Sequence, residues 1–181
     1  MPPQTAVHPD LSKVLLDEET LRRRIAELGA EISRDYKGKQ LLVVGVLKGS
    51  VIFMADLVRA LSPELDARMD FVAVSSYAGK ASTGTVRTLL DLRESPEGKD
   101  LLLVEDIVDT GLTLTALTET LRAHRPNSLE VCTLLDKPDC RKTPFQPKYT
   151  GFKIPNEFVV GFGLDYDERY RHLPCVGVLR T

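Results

Sequence analysis

Leu101-Leu102-Leu103-Val104-Glu105-Asp106-Ile107-Val108-Asp109-Thr110-Gly111-Leu112-Thr113-Leu114 reads as strand, acidic pair, tight loop and helix. Four apolar residues in a row suit a strand buried on both faces of a parallel sheet, where no polar alternation is expected. Glu105 and Asp106 stand at the carboxyl end of that strand, badly placed for a core and well placed for a ligand, because open α/β sheets bind ligands at that edge. Asp109 follows three residues on. Thr110, Gly111 and Thr113 are small or hydroxylated and let a backbone wrap an anion, while a helix beginning near Leu112 aims its free N–H groups at the same point.

Three carboxylates beside an anion cradle would repel an ordinary phosphate, so the ligand must offer something else as well. A phosphosugar fits: hydroxyls for Glu105 and Asp106, a phosphate for the Thr110–Thr113 loop, and Mg²⁺ to offset the remaining charge.

Working outward, the turn Gly98-Lys99-Asp100 launches this strand, and Leu114, Leu117 and Leu121 recur at helical spacing over a helix expected to span Leu112–His124. Pro126 and Asn127 end it, and His124 in its last turn is given no catalytic role. Leu129–Leu135 reads as the next strand. Upstream, Leu41–Leu47 is a second buried strand, followed by the turn Lys48-Gly49-Ser50 and a helical run through Leu57 and Leu61. Here the turn carries a cation, and Gly49 leaves room for close backbone approach to an anion. Asp70–Val74 is another strand; it leads through Ser75, Ser76 and Tyr77 into 78–87, a Gly-, Ser- and Thr-rich run read as a mobile lid, or else as an ordinary exposed hairpin. Leu21, Ile25, Leu28, Ile32 and Tyr36 define an amphipathic helix after Asp17, with Gly38 at its stop. The alternation of strand and helix predicts an α/β fold, a mostly parallel sheet flanked by helices.

The character changes past Leu135. Lys137-Pro138-Asp139 and the proline-bearing stretch 143–150 imply that the chain leaves the main sheet there, and Phe158–Gly163 then reads as a strand, Leu164–Arg171 as a charged aromatic loop and Val176–Leu179 as the last strand. The 181 residues are expected to make one domain, with 1–13 a flexible arm and 137–175 a small hood. A net charge of −2 argues against nucleic acid or an anionic membrane as the main partner. No apolar run approaches the roughly 20 residues of a membrane span, and 1–10 lacks a signal-peptide core, so a cytoplasmic location is expected. Cys132, Cys140 and Cys175 lack pair spacing and read as free thiols.

The stretch Glu105–Thr113 resembles the 5-phosphoribosyl-1-pyrophosphate signature of the type I phosphoribosyltransferases. Leu47-Lys48-Gly49-Ser50 is similar to the pyrophosphate loop of their hypoxanthine-guanine branch, and Ser76-Tyr77 to the root of its flexible loop. Lys137, the stretch Ile154–Val159 and the loop Leu164–Arg171 resemble its purine-recognition hood, so the resemblance spans about residues 40 to 179.

The resemblance implies transfer of the phosphoribosyl group to hypoxanthine or guanine with release of pyrophosphate. Glu105 and Asp106 would then hold the ribose hydroxyls, and Asp109, Thr110, Gly111, Leu112 and Thr113 the 5′-phosphate, with Asp109 also exchanging a proton at purine N7. Lys48, Gly49 and Arg171 would face pyrophosphate, with a cis peptide before Lys48. Lys137 would read position 6 of the base, Phe158 would stack on it, and Val159 would bond it through the backbone. Mg²⁺ is implied near Glu105, Asp106 and Asp165, and a homodimer or homotetramer is the family expectation. Two rivals share the fold: a pyrimidine or orotate transferase, and an RNA-binding regulator, which would need a basic surface that this charge does not supply.

Overall fold

The computed structural model describes residues 8–76 and 86–180. The expected lid falls largely outside them, as does Tyr77; its flanks are described, and Ser76 pairs with Val86 across an antiparallel ladder.

In chain order the elements are β1 (Leu11–Leu16), α1 (Glu18–Asp35), β2 (Gln40–Leu47), α2 (Val51–Arg59), β3 (Asp66–Ser76), β4 (Val86–Leu90), β5 (Asp100–Val108), α3 (Leu112–Arg122), β6 (Ser128–Asp136), β7 (Tyr149–Lys153), β8 (Val159–Val160) and β9 (Val176–Leu179). Six strands form the main sheet in the order β4-β3-β2-β5-β6-β7. All neighbours are parallel except β3 and β4.

Alternation along the strands sorts the core into two layers. Leu41, Val43, Leu102, Val104 and Leu134 face α1 and α2, whereas Leu42, Val44, Leu101, Leu103 and Val131 face α3. Each fully buried leucine contributes ~1.5–3 kcal/mol over an exposed one, so both sheet faces need a helical cover. That requirement explains why the strands read as unbroken apolar runs. α1 begins at Asp17, whose carboxylate accepts a hydrogen bond from Thr20 N–H at 2.8 Å.

β2 continues through α2 to β3 on one side, and β5 continues through α3 to β6 on the other. The strand order reverses between β2 and β5, which opens a crevice at their carboxyl ends. The Lys48 turn and the Glu105–Thr113 stretch flank that crevice.

Several expectations are corrected. Residues 11–13 are not part of a loose arm: they belong to β1, which pairs antiparallel with β9. β9 in turn pairs with β8, so the appendage is a three-stranded sheet made from both ends of the chain and extends beyond 137–175. The chain does not leave the main sheet for good after Leu135, because Tyr149–Lys153 returns as its edge strand beside β6. The strand expected over Phe158–Gly163 is limited to Val159–Val160, since Gly161, Phe162 and Gly163 take positive φ values of 98°, 51° and 102° that a strand cannot accommodate. α1 ends at Asp35, with Gly38 (φ 77°) in the turn that follows, and α3 ends at Arg122, before His124.

Candidate active site

β5 runs on to Val108, so Glu105 and Asp106 belong to the strand itself near its carboxyl end and border a cleft of about 200 Å³ lined also by Asp109, Thr110, Gly111 and Thr113. Both are largely withdrawn from water. Glu105 Oε1 accepts the Asp106 N–H at 3.1 Å, and Asp106 Oδ1 accepts the Ile107 N–H at 2.8 Å. Burial, reinforced by the Asp106 charge, pushes the Glu105 carboxyl well above its usual range. Burial also raises Asp106, against opposing pulls from its hydrogen bonds and the Arg171 charge. A strand end that holds two such acids is under electrostatic tension, which ribose hydroxyls or a cation would relieve.

Gly111 stands at the N-terminus of α3 with φ 81°, a left-handed conformation that favours glycine. A Cβ there would come within 2.6 Å of Thr143 Oγ1. The helix begins where the sequence placed it, and Gly111, Thr113 and Leu114 at its start line the cleft. Across the crevice, Gly49 lies against the Asp106 carboxylate so closely that an added Cβ would overlap Oδ2. The peptide between Leu47 and Lys48 is cis, as the resemblance implies.

Lys48 Nζ pairs with Glu168 Oε2 at 3.0 Å. Arg171 Nη2 lies 2.9 Å from Asp165 Oδ1 and 3.4 Å from Glu168 Oε2, and its Nη1 donates to Gly163 O at 2.7 Å. Gly163 packs onto the Gly49 carbonyl, which brings the Leu164–Arg171 loop against the Lys48 turn. The loop thus delivers Asp165, Glu168 and Arg171 to the rim of the crevice.

Lys137 is only 7% exposed, and among the described residues its ammonium makes no hydrogen bond or ion pair. The stem is packed while the ammonium at its tip has no protein partner, so its donors are available to a ligand. Its backbone N–H donates to Val108 O at 2.9 Å, which holds it beside the loop 109–113. Phe158 is half exposed and meets Tyr166 edge-on at 5.6 Å, leaving a ring face uncovered. Val159 is buried in β8 beside it. Ser76 ends β3.

Sequence reasoning missed Glu168, which occupies the two cations assigned to pyrophosphate, and the Asp136–Arg141 pair beneath Asp109. Cys140 is the free thiol that the sequence implied; the sequence did not place it by Asp109, where partial burial and then that carboxylate raise the thiol. Glu168 lay within a loop already singled out. No spacing signal connects Arg141 to Asp109, 32 residues away.

Residues 12–167 match the family model of the phosphoribosyl transferase domain, and the chain belongs to that family. A curated relative from Staphylococcus epidermidis, named hypoxanthine-guanine phosphoribosyltransferase, is 53% identical over 176 residues, 97% of each chain. A relative of the same name from Staphylococcus aureus is 51% identical over 96% of this chain and 97% of its own. Among solved structures, a hypoxanthine phosphoribosyltransferase from Staphylococcus aureus superposes with a TM-score of 0.93 at 50% identity, covering 98% and 96% of the two chains. One from Trypanosoma cruzi gives 0.92 at 47% identity, covering 96% and 93%. Within the family the chain falls among the hypoxanthine-guanine phosphoribosyltransferases, the enzymes of purine salvage. Neither a pyrimidine or orotate transferase nor an RNA-binding regulator is favoured by these relatives.

Proposed function

We propose the following division of labour for phosphoribosyl transfer to a 6-oxopurine, carried above all by Lys137, whose side chain is packed while its ammonium has no hydrogen-bond or ion-pair partner among the described residues. An ammonium only donates hydrogen bonds. It therefore matches the O6 acceptor of hypoxanthine or guanine and opposes the amino group of adenine. Phe158 covers the purine face, and the Val159 backbone meets the ring edge.

Departure of pyrophosphate leaves oxocarbenium-like positive charge on the anomeric carbon and negative charge on the leaving group. Both are stabilised by charge placed in advance. Glu105 and Asp106 hold the ribose hydroxyls on the side where positive charge develops. Lys48 and Arg171 meet the pyrophosphate, after Glu168 gives them up, and Arg171 brings a buried Nε–H that has no partner of its own. Asp109 through Thr113 hold the 5′-phosphate, and the Asp109 carboxylate exchanges the proton at N7.

The donor set fits Mg²⁺ shared with substrate oxygens: two adjacent carboxylates whose burial raises them are relieved by a divalent cation, and among the described residues there is no cluster of three ligating side chains to make an all-protein cage. Glu105 and Asp106 would hold it, with Asp165 reaching it through water because that carboxylate already accepts from Arg171 and from Glu168 N–H. When bound, the ion neutralises charge on the leaving pyrophosphate.

We place the protein in the cytoplasm and assemble it as a homodimer or homotetramer; among the described residues no helix is long and apolar enough to cross a membrane. Light scattering of the purified protein reads the assembly directly. The decisive functional assay offers hypoxanthine, guanine, xanthine, adenine, uracil and orotate in turn with 5-phosphoribosyl-1-pyrophosphate and Mg²⁺. Monophosphate is expected from the 6-oxopurines, and formation from adenine or a pyrimidine instead would overturn the reading of Lys137.

A further inference from the structure

Three successive carbonyls, at the end of β5 and in the loop that follows it, are captured by a single segment of chain. Val108 O accepts from Lys137 N–H at 2.9 Å, Asp109 O from Arg141 Nη1 at 2.7 Å, and Thr110 O from Lys142 N–H at 2.9 Å. In a planar trans peptide the C=O and the following N–H point in opposite directions. Fixing these three carbonyls therefore turns the N–H groups of Asp109, Thr110 and Gly111 away from the segment. Of the three donors, two are backbone groups and one is a side chain, the Arg141 guanidinium.

That guanidinium is itself held. Its Nη2 pairs with the carboxylate of Asp136, and the two side chains are only 13% and 7% exposed. The 3₁₀ turn Pro138–Cys140 sets its distance from Lys137, through Cys140 N–H to Lys137 O at 3.1 Å and Arg141 N–H to Pro138 O at 3.2 Å. Contact continues beyond Arg141. The Thr143 and Thr115 hydroxyls meet at 3.3 Å, Thr115 Oγ1 donates to Gly111 O at 2.8 Å, and a Cβ at Gly111 would come within 3.0 Å of Arg141 Cδ. The loop has no slack on this side.

We propose that Arg141, anchored by Asp136, is a positioning residue: it sets the direction of the Thr110 N–H and ties the loop that binds the 5′-phosphate to Lys137, the reader of the base. The inference rests on the reading of 109–113 as the 5′-phosphate site. Arg141 touches neither phosphate nor purine, so its effect is confined to ligands that use the oriented N–H groups. A lysine cannot span Asp109 O and Asp136 together, because it lacks the planar fork.

The experiment compares binding of IMP with binding of inosine, which differs only in lacking the 5′-phosphate, by calorimetry on the full chain. For Arg141→Met the IMP-to-inosine affinity ratio is expected to fall by about tenfold, the effect of one charge-assisted hydrogen bond. Inosine and pyrophosphate affinities should stay within about twofold of wild type. Arg141→Lys should recover only part of the ratio, and Asp136→Asn, which keeps the shape of the anchor, should lower it in the same sense and serves if Arg141→Met does not fold. An unchanged ratio in the folded variants overturns the proposal, as does an equal loss for IMP and inosine. Thr113→Val separates the two readings. If it lowers the ratio while the Arg141 variants do not, only the role of Arg141 falls; if neither it nor they change the ratio, the 5′-phosphate loop was misassigned and the proposal falls with it.

Discussion

Replacing Lys137 by methionine removes an ammonium and keeps most of the aliphatic stem, so it isolates the charge from the packing. The side chain is 7% exposed and has no partner among the described residues, while the backbone N–H that ties position 137 to Val108 O is untouched by the change. What is lost is a charge-assisted hydrogen bond to the purine O6, roughly 1.5–3 kcal/mol, which corresponds to about 10- to 150-fold in kcat/KM for hypoxanthine and guanine. Stability should change little, since the ammonium makes no hydrogen bond or ion pair among the described residues and methionine keeps the packed stem. The same variant should leave KM for 5-phosphoribosyl-1-pyrophosphate within about twofold. Adenine use should improve relative to hypoxanthine, because polar mismatch at such a position accounts for discrimination of up to about 10⁴–10⁵-fold. Steady-state kinetics with each base and a thermal melt read all of this. Wild-type kcat/KM for hypoxanthine in Lys137→Met, or ready use of adenine by the wild type, would refute the argument.

Glu105→Gln combined with Asp106→Asn should slow turnover yet raise stability at neutral pH. Both carboxyls bind protons more tightly folded than unfolded, so the wild type loses stability as pH rises from the ordinary values of 4.5 and 3.8 through the raised folded ones, and the amides abolish that loss; denaturation followed from acid to neutral pH should show the two proteins diverging upward, and parallel curves would contradict the burial argument. Asp109→Asn keeps the shape and loses the proton acceptor, and single-turnover measurements should show the chemical step slowed by roughly 10²–10⁴-fold, with an unchanged rate removing Asp109 from proton transfer. Glu168→Gln frees Lys48 and Arg171 from an exposed carboxylate, so KM for 5-phosphoribosyl-1-pyrophosphate should fall by up to about fivefold at low salt, the scale of a surface ion pair; a rise in KM would show that Glu168 orders the loop and does not compete for the cations.

How much was legible varies with the range of the interaction. The run Leu101–Val104 and the glycine before α3 carry their meaning locally, through apolar continuity and a backbone angle that favours glycine; the start of α3 falls where the residues alone put it, while β5 runs four residues past the apolar run, to Val108. The last strand of the main sheet did not announce itself. Tyr149–Lys153 follows a proline-rich connection and has little periodicity, and it becomes a strand only because β6 offers it an edge. β1 was hidden for the same reason: Leu11–Leu16 depends on β9 at the far end of the chain for its hydrogen bonds. Phe158–Gly163 was overextended because apolar residues suggested a strand, while the positive φ angles of 161–163 arise from packing against the Lys48 turn and the residues before β9.

Determined by the sequence alone were the α/β class, the strand-to-helix loop 109–113 and most of the residues that border the crevice, because each is written in residues that are neighbours along the chain. Tertiary structure decided what those groups face. The reversal of strand order between β2 and β5 puts Gly49 against Asp106, the Leu164–Arg171 loop sets Glu168 between Lys48 and Arg171, and the segment after β6 withdraws Lys137 from water and sets Arg141 beneath Asp109. The physical reason is range: helix caps and buried strands follow from torsions and hydrophobic runs over a few residues, whereas burial, pairing of charges and the pKa of a carboxylate depend on atoms that only folding brings within a few ångströms.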